Sequence, residues 1–215
     1  MFGLVLFSTL LVLGLLYWFP IRRWYRRWGA TDAELERAMS GDLAIAKPTY
    51  ETTLAITIAA RPEHIWPWLV QMGYRRGGLY SYDWLDRLFG YLDGPSAEQV
   101  FPQFQRLEAG DVIPIGGGAP GFPVKAVEPA RTLLLGGEAD AFHWTWQFGL
   151  YPIDQRRTRL VSRNRAHVPR TVGSALFMCV LEPAAFIMTR KMLLGLKRRA
   201  EVLAGEKHDA ARHVA

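Results

Sequence analysis

Cysteine is nearly missing from this chain. A single one, Cys179, excludes an internal disulfide and a thiolate metal cluster. The five histidines, His64, His143, His167, His208 and His213, show no ligand spacing with carboxylates or with that thiol, so no metal is expected. Internal repeats and low-complexity tracts are also lacking, which excludes a solenoid or a fibrous array. Acidic residues are in deficit, with 20 Asp and Glu against 26 Lys and Arg, for a formal net charge of +6. That excess favours anionic partners. The arginines are nevertheless scattered or clustered beside one apolar segment, and no recognition motif accompanies them, so nucleic acid is not expected as a partner. Charge of either sign is absent from Phe2 to Phe19.

That uncharged run is mostly Leu, Val and Phe. As a helix it extends about 27 Å, close to the hydrocarbon thickness of roughly 30 Å. Tyr17, Trp18, Trp24 and Tyr25 fall at the interface position, and Arg22, Arg23, Arg26 and Arg27 follow at once. A cleaved signal peptide requires positive charge before the run and a small-residue site after it, and neither is present. The expectation is a single-pass inner-membrane protein with an uncleaved transmembrane anchor in residues 1–28. The body then lies on the cytoplasmic side, with anionic lipid near Arg22–Arg27. Thr31-Asp32-Ala33-Glu34 reads as a capped helix start within a linker over 29–49.

The body, residues 50–205, begins with the alternation of Tyr50 to Ile58, the pattern of a half-buried strand. Pro62 opens a helix reaching about Gln71. Ser96 with Gln99 has capping-box spacing for a short helix ending near Pro102. Short strands are expected at Val112–Ile115, Phe122–Val127, Thr132–Leu135, Phe142–Leu150 and Thr158–Arg165, separated by Gly, Pro and charged turns. The apolar run Ala175–Leu181 is too short to span a bilayer. It is expected to be buried, with shallow membrane contact as the alternative. A long amphipathic helix follows, with Pro183 at or near its start and a frayed tail at 206–215. The order is α+β: a strand, then helices, then a run of antiparallel strands.

Three stretches carry candidate chemistry. Tyr80 to Gly90, YSYDWLDRLFG, holds four aromatics, two aspartates and an arginine. At helical spacing Tyr82, Leu85 and Phe89 share a face, and Asp83 and Asp86 lie close together. The two carboxylates become an acid–base pair only if burial shifts them, and capping or pairing with Arg75, Arg76 or Arg87 is the commoner use. In the strand from Phe142, alternation places Phe142, Trp144, Trp146 and Phe148 on one face and His143 on the other. In the next strand Ser162 and Asn164 share a face with Leu160, while Arg159, Arg163 and Arg165 form an outward stripe, read here as a solvated face. Gly116, Gly118 and Gly121 match GxGxxG, but a strand follows them and no helix, so no dinucleotide cofactor is expected. That loop reads instead as a hairpin at a cavity entrance.

The phrases TLAITIAARPEHIWPWLVQMGY (53–74), GLYSYDWLDRLFG (78–90), GDVIPI (110–115), TRLVSR (158–163) and RKMLLGLKRRAE (190–201) resemble the SRPBCC superfamily of START-like and polyketide-cyclase-like proteins. The resemblance covers most of the body. It implies a helix-grip fold, an antiparallel curved sheet wrapped around a long C-terminal helix and enclosing an apolar cavity. In that fold Tyr82, Trp84 and Phe89 become candidates for the cavity mouth. Phe142, Trp144, Trp146 and Phe148 become lining, and Ser162 and Asn164 polar groups that orient a ligand. The superfamily has no shared catalytic motif, so the fold implies a cavity more firmly than it implies chemistry. The expected function is membrane-anchored binding of a hydrophobic small molecule of lipid or isoprenoid type. The alternative is a cyclase or dehydratase using Asp83 or Asp86 with Tyr82 and His143.

Overall fold

A computed structural model of the chain describes residues 2–139 and 142–214, and the side chains of residues 4, 10, 11, 13, 15, 16, 18, 139 and 207–214 lie outside that description. Six strands form one antiparallel sheet: β1 (Tyr50–Ile58), β2 (Val112–Ile113), β3 (Phe122–Glu128), β4 (Thr132–Ala139), β5 (Phe142–Pro152) and β6 (Thr158–His167). Their spatial order is β1-β6-β5-β4-β3-β2, a meander whose last strand receives the first strand of the chain at its free edge. Helices α1 (Phe2–Leu16), α2 (Arg22–Arg26) and α3 (Asp32–Glu36) precede the sheet. Helices α4 (Pro62–Val70) and α5 (Asp83–Leu88) lie between β1 and β2, and α6 (Val172–Val214) closes the chain. The residues expected to form a tail thus continue α6, with Ala215 beyond the described residues.

The core is where one face of the sheet meets α4 and α6. Met192, Leu193, Leu196 and Ala200 of α6 pack with Leu54, Leu133, Leu135, Phe148 and Leu160 of the strands. The period-2 pattern of the strands and the three- and four-residue spacing of α6 supply matching apolar faces. The arrangement is helix-grip-like and α+β. Pro62 occupies the first turn of α4, where its missing N–H costs nothing.

β4 runs through Gly136 and Gly137, four residues further than its hydrophobic pattern indicates. Gly137 pairs with Trp144 of β5, and a Cβ at Gly137 would stand 2.8 Å from the Trp144 indole nitrogen. The glycines there make room for a tryptophan across the ladder and do not end the strand.

The outer face of β1 and β6 is covered. The Arg159–Arg163–Arg165 stripe, expected to be solvated, lies beneath α3 and the 3₁₀ turn Ser40–Ile45. Arg159 pairs with Glu34 at 2.6 Å, Arg163 with Asp42 at 2.7 Å, and Arg165 with Glu51 at 2.8 Å. Thr53 and Ala55 of β1 are buried as a result, so the strand read as half-buried is covered on both faces over its middle. The linker is a strap. Burial raises the Glu34 carboxyl, but hydrogen bonds from Arg159 and the Thr31 backbone and the charge of Arg159 more than offset that and hold it below its ordinary value. The Thr31–Glu34 capping box forms as expected.

Four further expectations are corrected. The Phe2–Phe19 helix is α-helical only to Leu16, and a π-helical turn, Tyr17–Ile21, follows. Pro20 has no N–H for the Leu16 carbonyl, so the α-helical ladder stops at that residue. Among the described residues, the helix long and apolar enough to cross a membrane by length and composition is Val172–Glu206 in α6. Pro183 lies inside α6, not at its start. It leaves the Cys179 carbonyl without its helical donor, and the Tyr17 hydroxyl donates to that oxygen at 3.4 Å. Residues 175–181, expected to be buried, present Leu176, Phe177 and Val180 to the exterior. Ser96 starts no helix, because its hydroxyl and N–H are spent on Asp83.

Candidate ligand-binding cavity

Between the concave face of the sheet and the middle of α6 lies a cavity of about 520 Å³. That volume is within the range of small-molecule sites. Its floor is set by strand register. Trp144 of β5 stands opposite Ala166 of β6, which stands opposite Tyr50 of β1; one layer deeper the same row reads Trp146, Asn164 and Thr52. Register thus places three aromatics, an amide and a hydroxyl on one wall. The helical wall is Leu181, Ala185, Thr189 and Met192, spaced at the three and four residues that keep one helix face in view. Phe122 of β3 packs edge-on to both indoles, with ring centroids 5.7 and 5.4 Å away. The mouth is made by Phe89, Tyr91 and Ser81 from the α5 region and by Met178 near the start of α6.

Of the residues singled out in the sequence, Phe89, Phe142, Trp144, Trp146 and Asn164 line this cavity. Phe148 does not, being fully buried in the core beneath Trp146 at 4.9 Å between rings. Ser162 lies behind the wall and accepts a hydrogen bond from the Trp146 indole N–H at 2.9 Å, so it orients a lining residue and does not meet a ligand. Tyr82 holds the N-cap position of α5 without a side-chain capping bond, its ring under the Lys191 ammonium at 5.5 Å. Trp84 points into solvent, 66% exposed. His143 is not on the cavity wall, as its alternation indicates.

The two aspartates take separate places, and neither is on the wall. Asp83 accepts the Ser96 hydroxyl at 2.7 Å and the Ser96 N–H at 3.0 Å, which ties α5 to the loop before β2. Asp86 is fully buried, accepts the Ser81 hydroxyl at 2.6 Å, and leaves its second oxygen without a partner among the described residues. α5 therefore turns a carboxylate inward and Trp84, Leu88 and Phe89 outward, the reverse of an ordinary amphipathic helix.

Burial pushes the Asp86 carboxyl above its ordinary 3.8, against the pull of the Ser81 hydrogen bond and with help from the charge of Asp83. A raised carboxyl favours folding while protonated and loses that contribution as pH rises through its folded value. Stability from this group should therefore fall as pH rises from the ordinary carboxylate range through the raised folded value. Asp86→Asn should lack that slope while keeping the Ser81 hydroxyl bonded. Urea midpoints at pH 4.5 and pH 7 for the two proteins would measure it, and equal slopes would contradict the burial argument.

The lining residues not singled out in the sequence include Tyr50, Thr52, Leu79, Tyr91, Phe122, Thr145 and the helical face of Met178 to Met192, and Arg165, read as outward, is also among the lining. The four-residue spacing of Leu181, Ala185 and Thr189 was the available signal. The glycine loop, expected at a cavity entrance, packs against two of the lining residues. Gly117 packs on the Phe89 carbonyl and the Tyr91 ring, and Gly116 (φ +74) sits where a Cβ would come within 2.3 Å of the Gly90 carbonyl oxygen.

No protein-family model and no curated protein sequence matches the chain. Among solved structures it is similar to the Aha1 dimer from Colwellia psychrerythraea, at 19% identity and TM-score 0.42, covering 72% of this chain and 98% of that one. It is similar also to the Zhui aromatase/cyclase from Streptomyces sp. R1128, at 17% identity and TM-score 0.38, covering 70% and 94%. A Thermobifida fusca protein matches at 12% identity and TM-score 0.44, covering 71% and 94%. Likeness at this level says nothing of ligand or chemistry, and the helix-grip-like description stands on the sheet and helix of the chain itself.

Proposed function

We propose that this chain is a membrane-attached protein that binds a hydrophobic small molecule, of lipid or isoprenoid type, in the cavity between the sheet and α6. The observation that carries the proposal is the lining. Phe122, Phe142, Trp144, Trp146, Phe186 and Met192 are among the residues that surround a ligand-sized space, and the polar groups are the minority: Ser81, Thr52, Thr145, Asn164, Arg165 and Thr189, with the phenols of Tyr50 and Tyr91. A mostly apolar wall with a few placed polar groups suits a ligand with an apolar body and one polar end. The uncharged N-terminal run with its basic flank supports membrane attachment, the arginines Arg22 to Arg27 meeting anionic headgroups on the cytoplasmic side of the inner membrane. The carboxylates considered for catalysis are structural in position, which favours carrying over turnover.

Full-length protein purified from membranes in detergent should release an apolar molecule in about one-to-one ratio on organic extraction, read by mass spectrometry. An extract containing nothing beyond what the bare detergent micelle retains, together with no binding of added apolar probes, would overturn the reading.

A further inference from the structure

The first ten residues of α6 have no polar face. Val172 to Leu181, VGSALFMCVL, contains no charged residue. Met178 and Leu181 turn to the cavity, while Val172, Leu176, Phe177 and Val180 are 79, 67, 60 and 73% exposed. A helix that closes a cavity in water is expected to be polar outside, and one apolar all round is expected to be enclosed by protein or lipid. Here one side is occupied by the cavity and the other faces outward.

The segment that follows α1 meets α6 at this end. Three contacts hold the π-helical turn Tyr17–Ile21 and α2 against α6. The Tyr17 hydroxyl reaches the Cys179 carbonyl that Pro183 leaves free, and it also lies 3.0 Å from the Tyr25 hydroxyl. Glu182, only 2% exposed, accepts from Arg22 at 2.6 and 2.8 Å, from Arg26 at 3.0 Å and from the Tyr25 hydroxyl at 3.0 Å. Trp24 and Tyr25 pack on Phe186 with centroids 5.4 and 5.5 Å apart. A sharp boundary results. Residues 172–181 before Glu182 and residues 2–19 before α2 are uncharged; at Glu182 and α2 the charges begin, with Arg22, Arg23, Arg26 and Arg27 lining a groove beside Phe19.

We propose that Val172–Leu181 is a second membrane-inserting segment, tied through Glu182 to the basic end of the N-terminal run, so that the cavity mouth opens into the lipid and not into water. The proposal rests on the apolar-ligand reading of the cavity and supplies the route by which such a ligand enters. Ten helical residues extend about 15 Å, half the hydrocarbon thickness of roughly 30 Å, so the segment enters one leaflet and does not span. Its N-terminus suits that place. The Thr171 hydroxyl accepts the Ser174 N–H at 3.1 Å, so one first-turn donor that lipid cannot satisfy is met within the chain. Arg170 precedes the helix and sets its depth, since a guanidinium returns to the headgroups only if α6 lies oblique to the bilayer. The exposed Phe89 ring stands across the mouth from Met178 and Leu181 and completes an apolar rim.

Cys179 is the probe already present, the only cysteine in the sequence and exposed within this segment. The full chain, reconstituted in vesicles of zwitterionic and anionic phospholipid, is treated with a membrane-impermeant maleimide. A Cys179→Ser, Asp154→Cys protein reports on the body, and molecules facing the outside are counted by its labelling. Cys179 should react at least about tenfold more slowly than Cys at 154, and detergent should remove the difference. An environment-sensitive dye on Cys179 should be quenched by lipids carrying a spin label in the acyl chain. Equal labelling before and after detergent, with no lipid quenching, would place the segment in water and overturn the proposal. Probe binding measured in detergent is unaffected by that outcome, so a failure of the insertion and a failure of the cavity reading are distinguishable.

Discussion

Arg163→Ala should cost about 3–5 kcal/mol of folding stability, the penalty typical of breaking a buried ion pair from one side. Arg163 is 2% exposed, and its guanidinium has a partner for every N–H. Nε donates to the Thr53 hydroxyl at 3.1 Å. One terminal nitrogen donates to Asp42 at 2.7 Å and the Arg37 carbonyl at 2.8 Å, and the other to the carbonyls of Glu34 at 2.7 Å and Leu35 at 3.2 Å. Truncation leaves three carbonyls and a carboxylate underserved beneath the strap, and only Asp42 has another arginine in reach, Arg165 at 3.3 Å. Against a total stability of roughly 5–15 kcal/mol that loss is enough to unfold a large fraction of molecules on modest warming. Arg163→Lys should rescue little, because three donors on a point charge cannot reproduce the fork. Chemical unfolding in a fixed detergent, followed by circular dichroism, measures both. A loss below about 1 kcal/mol for the alanine variant would show that the strap is loosely held.

Filling the cavity should abolish binding while sparing the fold. Ala185 lines the helical wall, one turn from Thr189 on the same face. Phenylalanine at 185 has about 520 Å³ of open space to enter, so the overpacking cost of about 1–3 kcal/mol for a full core does not apply. Affinity for an apolar probe should fall at least tenfold, about 1.4 kcal/mol, with a melting temperature close to the parent's. Thr189→Phe should do the same from one turn further in. Loss of binding together with collapse of the melt would instead report damage to the α6 packing.

The apolar strand faces were readable from alternation. Tyr50–Ile58 matches β1 end to end, and the Phe142–Trp144–Trp146 face points where its period places it. What alternation cannot supply is what covers the other face. Arg159, Arg163 and Arg165 read as a solvated stripe because their carboxylate partners, Glu34, Asp42 and Glu51, lie more than a hundred residues away in sequence. Ser96 has the spacing of a helix cap, but its hydroxyl goes to Asp83, a pairing no local rule reveals. On α5 the inward turn of Asp86 depends on Ser81 being in place to receive it, so the outward position of Trp84 and Phe89 was not foreseeable from helical spacing. A large share of the cavity wall comes from α6 residues such as Ala185 and Thr189. Small and weakly polar, they look unremarkable until the sheet stands opposite them.

The measurement closest to the central proposal is a titration with a naturally fluorescent polyene fatty acid, read by energy transfer from tryptophan. Trp144 and Trp146 both line the cavity, so a bound polyene sits within short range of two donors. Saturable transfer at one probe per chain is expected, strongly reduced in a Trp144→Phe, Trp146→Phe protein and absent in Ala185→Phe. Transfer that never saturates, or that is the same in all three proteins, would mean that the probe partitions into the micelle and that the space between the sheet and α6 holds no ligand.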